Sequence, residues 1–139
     1  MTMLNPIKKI SKREIDIMDV LWTQSKPLVA SEIIKYNPDL SISTVQTALK
    51  KLVNKDFIEM ADIVYSGTVL ARSYRPIISQ KDYEKYALAN SLSTFRENNI
   101  TLSKFASAFF DLEKDKDKAL KELNELEKII REQKNKLNT

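Results

Sequence analysis

The chain has 139 residues, of which 42% are apolar, and a net charge of +4, which suits one domain, or one domain with an appendage. It contains no histidine and no cysteine, which excludes Ser–His and Cys–His nucleophiles and leaves zinc or copper only carboxylates. The single glycine cannot form a glycine-rich phosphate loop. We therefore expect neither an enzyme nor a metal or organic cofactor.

The distribution of apolar residues also bears on location. No apolar run approaches the about 20 residues that a membrane span requires, and the lysines near the N-terminus are not followed by the apolar stretch of a signal peptide. The lack of cysteine fits a reducing compartment. We expect a cytoplasmic protein that has no membrane partner.

A first helix is predicted after a lead-in of residues 1–10, which contains Pro6 and little periodicity. Ser11 followed by Glu14 has the spacing of a capping box. The sequence "SKP" at residues 25–27 ends the helix. Its apolar face consists of Ile15, Met18, Leu21 and Trp22.

A second, shorter helix follows. The pair "LV" at residues 28–29 predicts a short strand, and residues 31–36 predict a helix that turns Ile33 and Ile34 inward. The sequence "NPD" at residues 37–39 is typical of a turn.

The third predicted helix lies in "SISTVQTALKKLVNKDFIE", which starts at Ser41. Ser41 can cap this helix by accepting a hydrogen bond from the amide of Thr44. Residues 41–55 hold three lysines and no acid, and we expect Lys55 to be a solvated cation at the helix end. The predicted apolar stripe consists of Val45, Ala48, Leu49, Leu52 and Val53.

Two β-rich runs follow, "FIEMADIVY" and "VLARSYR", and they are separated by "SGT". This pattern predicts a β-hairpin with Gly67 in the turn, where positive φ is needed. Residues 1–78 therefore read as helix, short strand, helix, turn, helix and hairpin. The predicted fold class is mostly α, a winged helix-turn-helix, in which one face of the third helix docks and the other enters a DNA groove. The periodicity of the third helix alone would favour a solvated surface helix, and its place as third helix before a hairpin reverses that preference.

Residues 79–139 predict a helical dimerisation region. Its last segment has apolar residues at alternating steps of four and three, a 3.5-residue repeat typical of a two-helix seam. Helices this short cannot enclose their large apolar groups alone, so they either dimerise, which we expect, or pack back on the winged domain. The predicted contact residues are Tyr83, Tyr86, Leu92, Phe95, Phe105, Phe109, Leu123, Leu126 and Ile130.

Three stretches resemble the penicillinase-repressor family, which includes β-lactamase, methicillin-resistance and copper-responsive repressors. They are "ISKREIDIMDVLW" at residues 10–22, "SISTVQTALKKL" at 41–52 and "YRPIISQKDY" at 74–83. The resemblance implies a homodimeric repressor that binds a palindromic operator in double-stranded DNA. It further implies that four polar side chains face the groove and that two lysines approach phosphate: Ser43, Thr44, Gln46, Thr47, Lys50 and Lys51.

The chemistry of these side chains agrees with that role. Gln46 can bond bidentately to adenine, and threonine methyls can touch thymine methyls. Thr44 has an alternative role in local capping. Because the hairpin tip, "SGT", carries no cation, a wing contact would depend on backbone amides, hydroxyls, Arg72 or Arg75.

The chain departs from the family at two regulatory features. It lacks the C-terminal cysteine cluster of copper-responsive members, which argues against copper sensing. Antibiotic-responsive members are cut by a regulatory protease at an Asn–Phe bond, and the matching residues here are Lys104 and Phe105. Two other classes remain open: a protein-interaction winged helix, and a ligand-sensing regulator with a pocket among Tyr83, Tyr86, Phe95, Phe105 and Phe109.

Overall fold

The computed structural model describes residues 9–139, so most of the lead-in predicted for residues 1–10 lies outside the described residues. The elements are α1 (Lys12–Gln24), α2 (Ala30–Tyr36), α3 (Ile42–Asn54), β1 (Ile58–Ser66), β2 (Val69–Pro76), α4 (Gln80–Glu97), α5 (Leu102–Leu112) and α6 (Lys116–Leu137). The chain divides into two compact units, one ending at Ala89 and the other spanning residues 90–139. The predicted fold class is confirmed. Within the described residues, no helix is long and apolar enough to cross a membrane.

Local signals set the ends of α1 and α3. Ser11 accepts a hydrogen bond from the amide of Glu14, and the Glu14 side chain accepts one from the amide of Ser11, which completes the predicted capping box. Helix α1 ends at Ser25, whose φ of 56° is left-handed. Ser41 caps α3 by accepting from the amide of Thr44, as predicted.

Helix α2 begins one residue earlier than predicted. The amide of Val29 donates to the carboxylate of Glu32 over 3.0 Å, which is the acidic half of a capping box, because Val29 has no hydroxyl to cap the first turn. Ile33 is fully buried, whereas Ile34 is half-buried at the edge of the core.

The predicted hairpin is present, with Gly67 in its turn. Strands β1 and β2 pair antiparallel from Ile58 opposite Pro76 to Ser66 opposite Val69, with a bulge at Ala61. Gly67 has a φ of 65°, and positive φ at the first central position of a two-residue loop is typical of a type II′ turn. The predicted short strand is confirmed as a bridge between Leu28 and Tyr74, with both backbone hydrogen bonds at 3.0 Å or less.

The core of the first unit lies between α1, α2, α3 and the start of the hairpin. Its fully buried members include Ile17, Met18, Leu21, Leu28, Ile33, Val45, Leu52 and Ile58. The prediction that Val53 belongs to the apolar stripe is wrong, because its side chain is 37% exposed. Val53 lies about 80° around the helix from Val45, at the edge of the docked face.

Candidate nucleic-acid interface

The outer face of α3 is polar and cationic, opposite a docked face formed by Val45, Ala48, Leu49 and Leu52. Ser43, Gln46, Thr47, Lys50 and Lys51 are exposed, and Thr44 is half-buried. The structure therefore brings the predicted DNA-reading residues together on one helix surface. Within residues 41–55 no carboxylate weakens its positive charge.

Thr44 is already engaged within its own chain. The Ser41 hydroxyl donates to the Thr44 hydroxyl over 2.8 Å and accepts from the Thr44 amide over 3.2 Å. This is the local capping arrangement that the sequence left open for Thr44. Its hydroxyl is consequently less available to a base than that of Thr47, and the Ser43 hydroxyl also lies 3.3 Å from the Ser41 hydroxyl.

Helix α3 is tied to α1 by an ion pair at its C-terminal end. The Lys55 ammonium donates to both carboxylate oxygens of Glu14, over 2.6 and 3.0 Å, and to the Lys9 carbonyl over 2.9 Å. Glu14 is 2% exposed and the Lys55 side chain 23%. The expectation that Lys55 is a solvated cation is wrong, because it neutralises a carboxylate buried between the two helices.

The pKa of Glu14 reflects two opposing effects. Burial alone would raise the pKa of this carboxyl, because a low-dielectric site disfavours the charged form. The hydrogen bond from Lys55 opposes this, together with the Ser11 amide and the Lys55 charge, and the net result is a lowered pKa. Glu14 is therefore ionised at neutral pH, and its pair with Lys55 holds α3 against α1.

The tip of the hairpin is apolar rather than basic. Tyr65, Val69 and Leu70 are 75%, 66% and 59% exposed. Arg72 is exposed opposite Ile63, whereas Arg75 donates to Glu59 over 2.9 Å and is partly neutralised. Of the two arginines predicted for the wing, Arg72 is the one that remains available to a phosphate.

A cluster of aromatic rings joins the start of α4 to the core. The indole N–H of Trp22 donates to the carbonyl of Ile78 over 2.9 Å. The Tyr83 ring lies 5.7 Å from Trp22 and 6.0 Å from Phe57, measured between ring centroids. The structure therefore places Tyr83, predicted as a dimerisation residue, against the core of its own winged unit.

The second unit contains most of the other predicted dimerisation residues. The Phe105 ring lies 4.9 Å from Phe95 and 6.4 Å from Phe109. Leu92, Phe105, Leu123 and Ile130 are 41% to 46% exposed, and Leu126 is half-buried. In the described helices α4, α5 and α6, no side chain is fully buried.

A three-helix arrangement with an exposed polar third helix and a following hairpin defines the class of winged-helix DNA-binding regulators. Residues 10–132 match the model of the penicillinase repressor family. The chain belongs to that family, as the resemblance of its three motifs predicted.

Several solved structures are similar over parts of the chain. The monomeric form of Bacillus licheniformis BlaI in complex with the blaP half-operator is 31% identical over 55% of this chain and 90% of its own, with a TM-score of 0.42. The adhesin competence repressor AdcR from Streptococcus pyogenes is 13% identical over 90% and 82%, with a TM-score of 0.41. No curated protein sequence matches significantly. Because these TM-scores are low, the assignment depends on the family match.

Proposed function

We propose that the protein is a sequence-specific transcriptional repressor that binds a palindromic operator in double-stranded DNA as a homodimer in the cytoplasm. The observation that carries this proposal is the exposed face of α3, where Gln46, Thr47 and two lysines lie opposite a fully docked apolar face. The membership of the penicillinase repressor family supports it. No step requires a metal or a cofactor.

The side chains of α3 divide into two roles. Gln46 and Thr47 are exposed near the middle of the helix and have the donors, acceptors and methyl group that read base edges. Lys50 and Lys51 lie in the C-terminal half and carry charge without base-specific geometry, as does Arg72 on the wing. Ser43 can donate to either a base or a phosphate, and Thr44 contributes mainly by holding the helix start.

The uncovered apolar residues of the C-terminal helices support dimerisation. We place the DNA-binding domain at residues 1–78 and the dimerisation region at residues 79–139, although Tyr83 within that region packs on Trp22 and Phe57. The proposed interface residues whose exposure supports this are Leu92, Phe105, Leu123 and Ile130, together with the flanking Tyr86, Phe95, Phe109 and Leu126. A two-fold dimer explains why the operator would be palindromic.

Loss of the dimerisation region, residues 79–139, would release the protein from DNA. The bond between Lys104 and Phe105 lies in the first turn of α5, where the Lys104 amide donates to the capping hydroxyl of Thr101 over 3.2 Å. A regulatory protease that cuts there would separate Phe105 and the α6 seam from the DNA-binding domain.

The test is a binding selection from random duplexes, followed by titration of the selected site in increasing salt. We expect two inverted half-sites, and a steep fall of log K with log salt because bound phosphates release counterions. Gln46→Ala should relax preference at one position of each half-site, with a loss of about 1–3 kcal/mol. Lys50→Ala should weaken all duplexes alike. Weak binding that is insensitive to salt would contradict the proposal and favour a protein partner.

The ligand-sensing alternative loses support from the placement of its aromatic residues. The Tyr83 ring packs on Trp22 and Phe57. The phenylalanine rings also pack directly on one another. Such packing is typical of a core or an interface.

A further inference from the structure

A surface hollow of about 350 Å³ lies between the start of α1 and the outer face of α3. The residues that matter here are Arg13 from α1, and Ser43, Thr47 and Lys51 from α3. No sequence pattern connects Arg13 with α3, and the predicted DNA-binding set did not include it. The hollow holds more than a single solvent molecule, whose share of liquid volume is about 30 Å³.

The hollow is electropositive once its ion pairs are counted. Among the described residues that line it, Glu14 is the only carboxylate, and Lys55 compensates that charge at 2.6 Å. The charge of Lys51 remains, together with that of Arg13, which is shared with Asp16 outside the hollow. The Ser11 and Glu14 amides are already bonded within the capping box, so the two side-chain cations are the groups on which the proposed attraction depends.

Asp16 offsets the charge of Arg13 only in part, because its carboxylate pairs with two cations. Its carboxylate accepts a hydrogen bond from Lys12 over 2.7 Å, whereas Arg13 lies 3.6 Å away, beyond hydrogen-bond distance. The Arg13 side chain is 58% exposed. Its guanidinium therefore keeps donors for a planar, bidentate contact with an oxyanion.

The position of the hollow identifies the oxyanion. Consecutive helical residues are about 100° apart, so Lys51 and Thr44 lie on one flank of α3, and Lys50 and Gln46 on the other. A helix about 10–12 Å across fills a major groove about 12 Å wide, so its flanks face the two phosphate backbones. The hollow lies on the Lys51 flank, beside the face that would meet the bases.

We propose that this hollow receives a backbone phosphate of the operator duplex, bound between Arg13 and Lys51 with the hydroxyl of Ser43 as a further donor. This inference depends on the proposed function, since α3 must lie in the groove. Arg13 then fixes the angle at which α3 enters the groove, because it connects the DNA to α1 rather than to α3. It contacts no base and leaves sequence preference unchanged.

The experiment compares Arg13→Gln with Lys12→Gln in the full-length chain. Both variants remove one cation from the same helical turn, but Lys12 does not line the hollow and its side chain is 81% exposed. Affinity is measured by fluorescence anisotropy on the selected operator and on an unrelated duplex over a range of salt concentrations. Thermal unfolding of both variants verifies that they are folded.

We expect Arg13→Gln to weaken both duplexes by about tenfold per half-site, as for loss of a charged hydrogen bond. The salt slope should become shallower by about 0.9 for each lost phosphate contact. Lys12→Gln should weaken binding clearly less than Arg13→Gln, because it removes a partner of Asp16 and not a group that lines the hollow. Arg13→Lys should recover part of the loss. The double variant Arg13→Gln with Lys51→Gln should lose less affinity than the two single fold-losses multiplied together, because both cations contact one phosphate.

Equal effects of Arg13→Gln and Lys12→Gln would overturn the inference, since only the general charge of the helix start would then matter. Multiplicative effects of Arg13→Gln and Lys51→Gln would overturn it as well, because the two cations would contact separate phosphates. In both cases salt-dependent operator binding by the wild type leaves the proposed function standing. A wild type that fails to bind duplex DNA overturns both proposals.

Discussion

The two compact units carry similar apolar side chains but bury them to different extents. In the first unit Ile17, Met18 and Leu21 of α1 are fully inaccessible to solvent, as are Val45 and Leu52 of α3. In residues 90–139, all of which the structure describes, no side chain reaches that state. The first unit therefore completes its core within one chain, whereas the second presents apolar surface that we propose a second copy covers.

The sequence patterns of the two units already differ in a way that explains this. The apolar stripes of α1 and α3 pack against each other and against the base of the hairpin. Leu21, Leu28 and Leu52 are therefore enclosed by all three elements. The heptad residues of α6 instead form a long row that includes Leu123 and Ile130, which are 44% and 46% exposed. Such a row of apolar side chains becomes buried when it packs against a matching row on a second helix.

The largest expected effect comes from removing the second unit. A chain ending at Ala89 should keep a cooperative unfolding transition but bind the two-half-site operator about 100- to 10,000-fold more weakly, because the avidity of linked half-sites is lost. Sedimentation and anisotropy titration measure these two properties. An engineered cut between Lys104 and Phe105 should act in the same direction.

The matched control is a chain ending at Pro76. It also lacks the Ile78 carbonyl that accepts from Trp22, as well as the ring of Tyr83, so it should unfold at lower denaturant concentration than the longer fragment. Two results would contradict dimerisation as the reason for the exposed apolar residues of the second unit. One is a full-length chain that sediments as a monomer, and the other is a fragment ending at Ala89 that binds the operator as tightly as the full-length chain.

The next effect tests the connection within the first unit. Lys55→Ala should lower the free energy of unfolding by about 3 kcal/mol, because it leaves the buried carboxylate of Glu14 without a compensating charge. Lys50→Ala is the control on the same helix, and its loss should be about 0.5 kcal/mol or less because Lys50 is exposed. Urea unfolding measures both. Similar losses for the two variants would mean that solvent compensates Glu14.

A third variant tests which unit Tyr83 serves. Tyr83→Ala should destabilise the first unit by about 2 kcal/mol, roughly half the loss for a fully buried aromatic ring, and leave the dimer dissociation constant unchanged. Tyr65→Ala is the matched control, because the Tyr65 ring is 75% exposed on the wing. Unchanged stability with weakened dimerisation would restore the sequence-based assignment of Tyr83 to the interface.

The features that sequence alone predicted are local ones. The Ser11 capping box, the Ser41 cap and the Gly67 turn all depend on residues within four positions of one another, where spacing fixes geometry. The pair between Glu14 and Lys55 spans 41 positions, and the bond from Trp22 to Ile78 spans 56. Periodicity identifies which residues turn inward, but it does not identify which of them meet. The proposed phosphate contact of Arg13 is absent from the predicted DNA-binding set for the same reason, because it depends on which residues of α1 lie beside α3.

The smallest expected effect is a dependence of stability on acid pH. The folded-state pKa of Glu14 is lowered from 4.5, so the unfolded chain takes up a proton at higher pH than the folded chain. The ionised pair with Lys55 therefore contributes its full stability above pH 4.5 and loses it as the pH falls through the lower folded-state value. Because burial opposes the hydrogen bonds, this loss of stability should be smaller than that caused by Lys55→Ala.

Acid also protonates other carboxylates, so the quantity to measure is the difference in unfolding free energy between the wild type and Glu14→Gln at each pH. We expect this difference to be constant from pH 6 to 8 and to narrow below pH 4.5. A difference that stays constant through the acid range would show that the charge of Glu14 does not stabilise the folded protein.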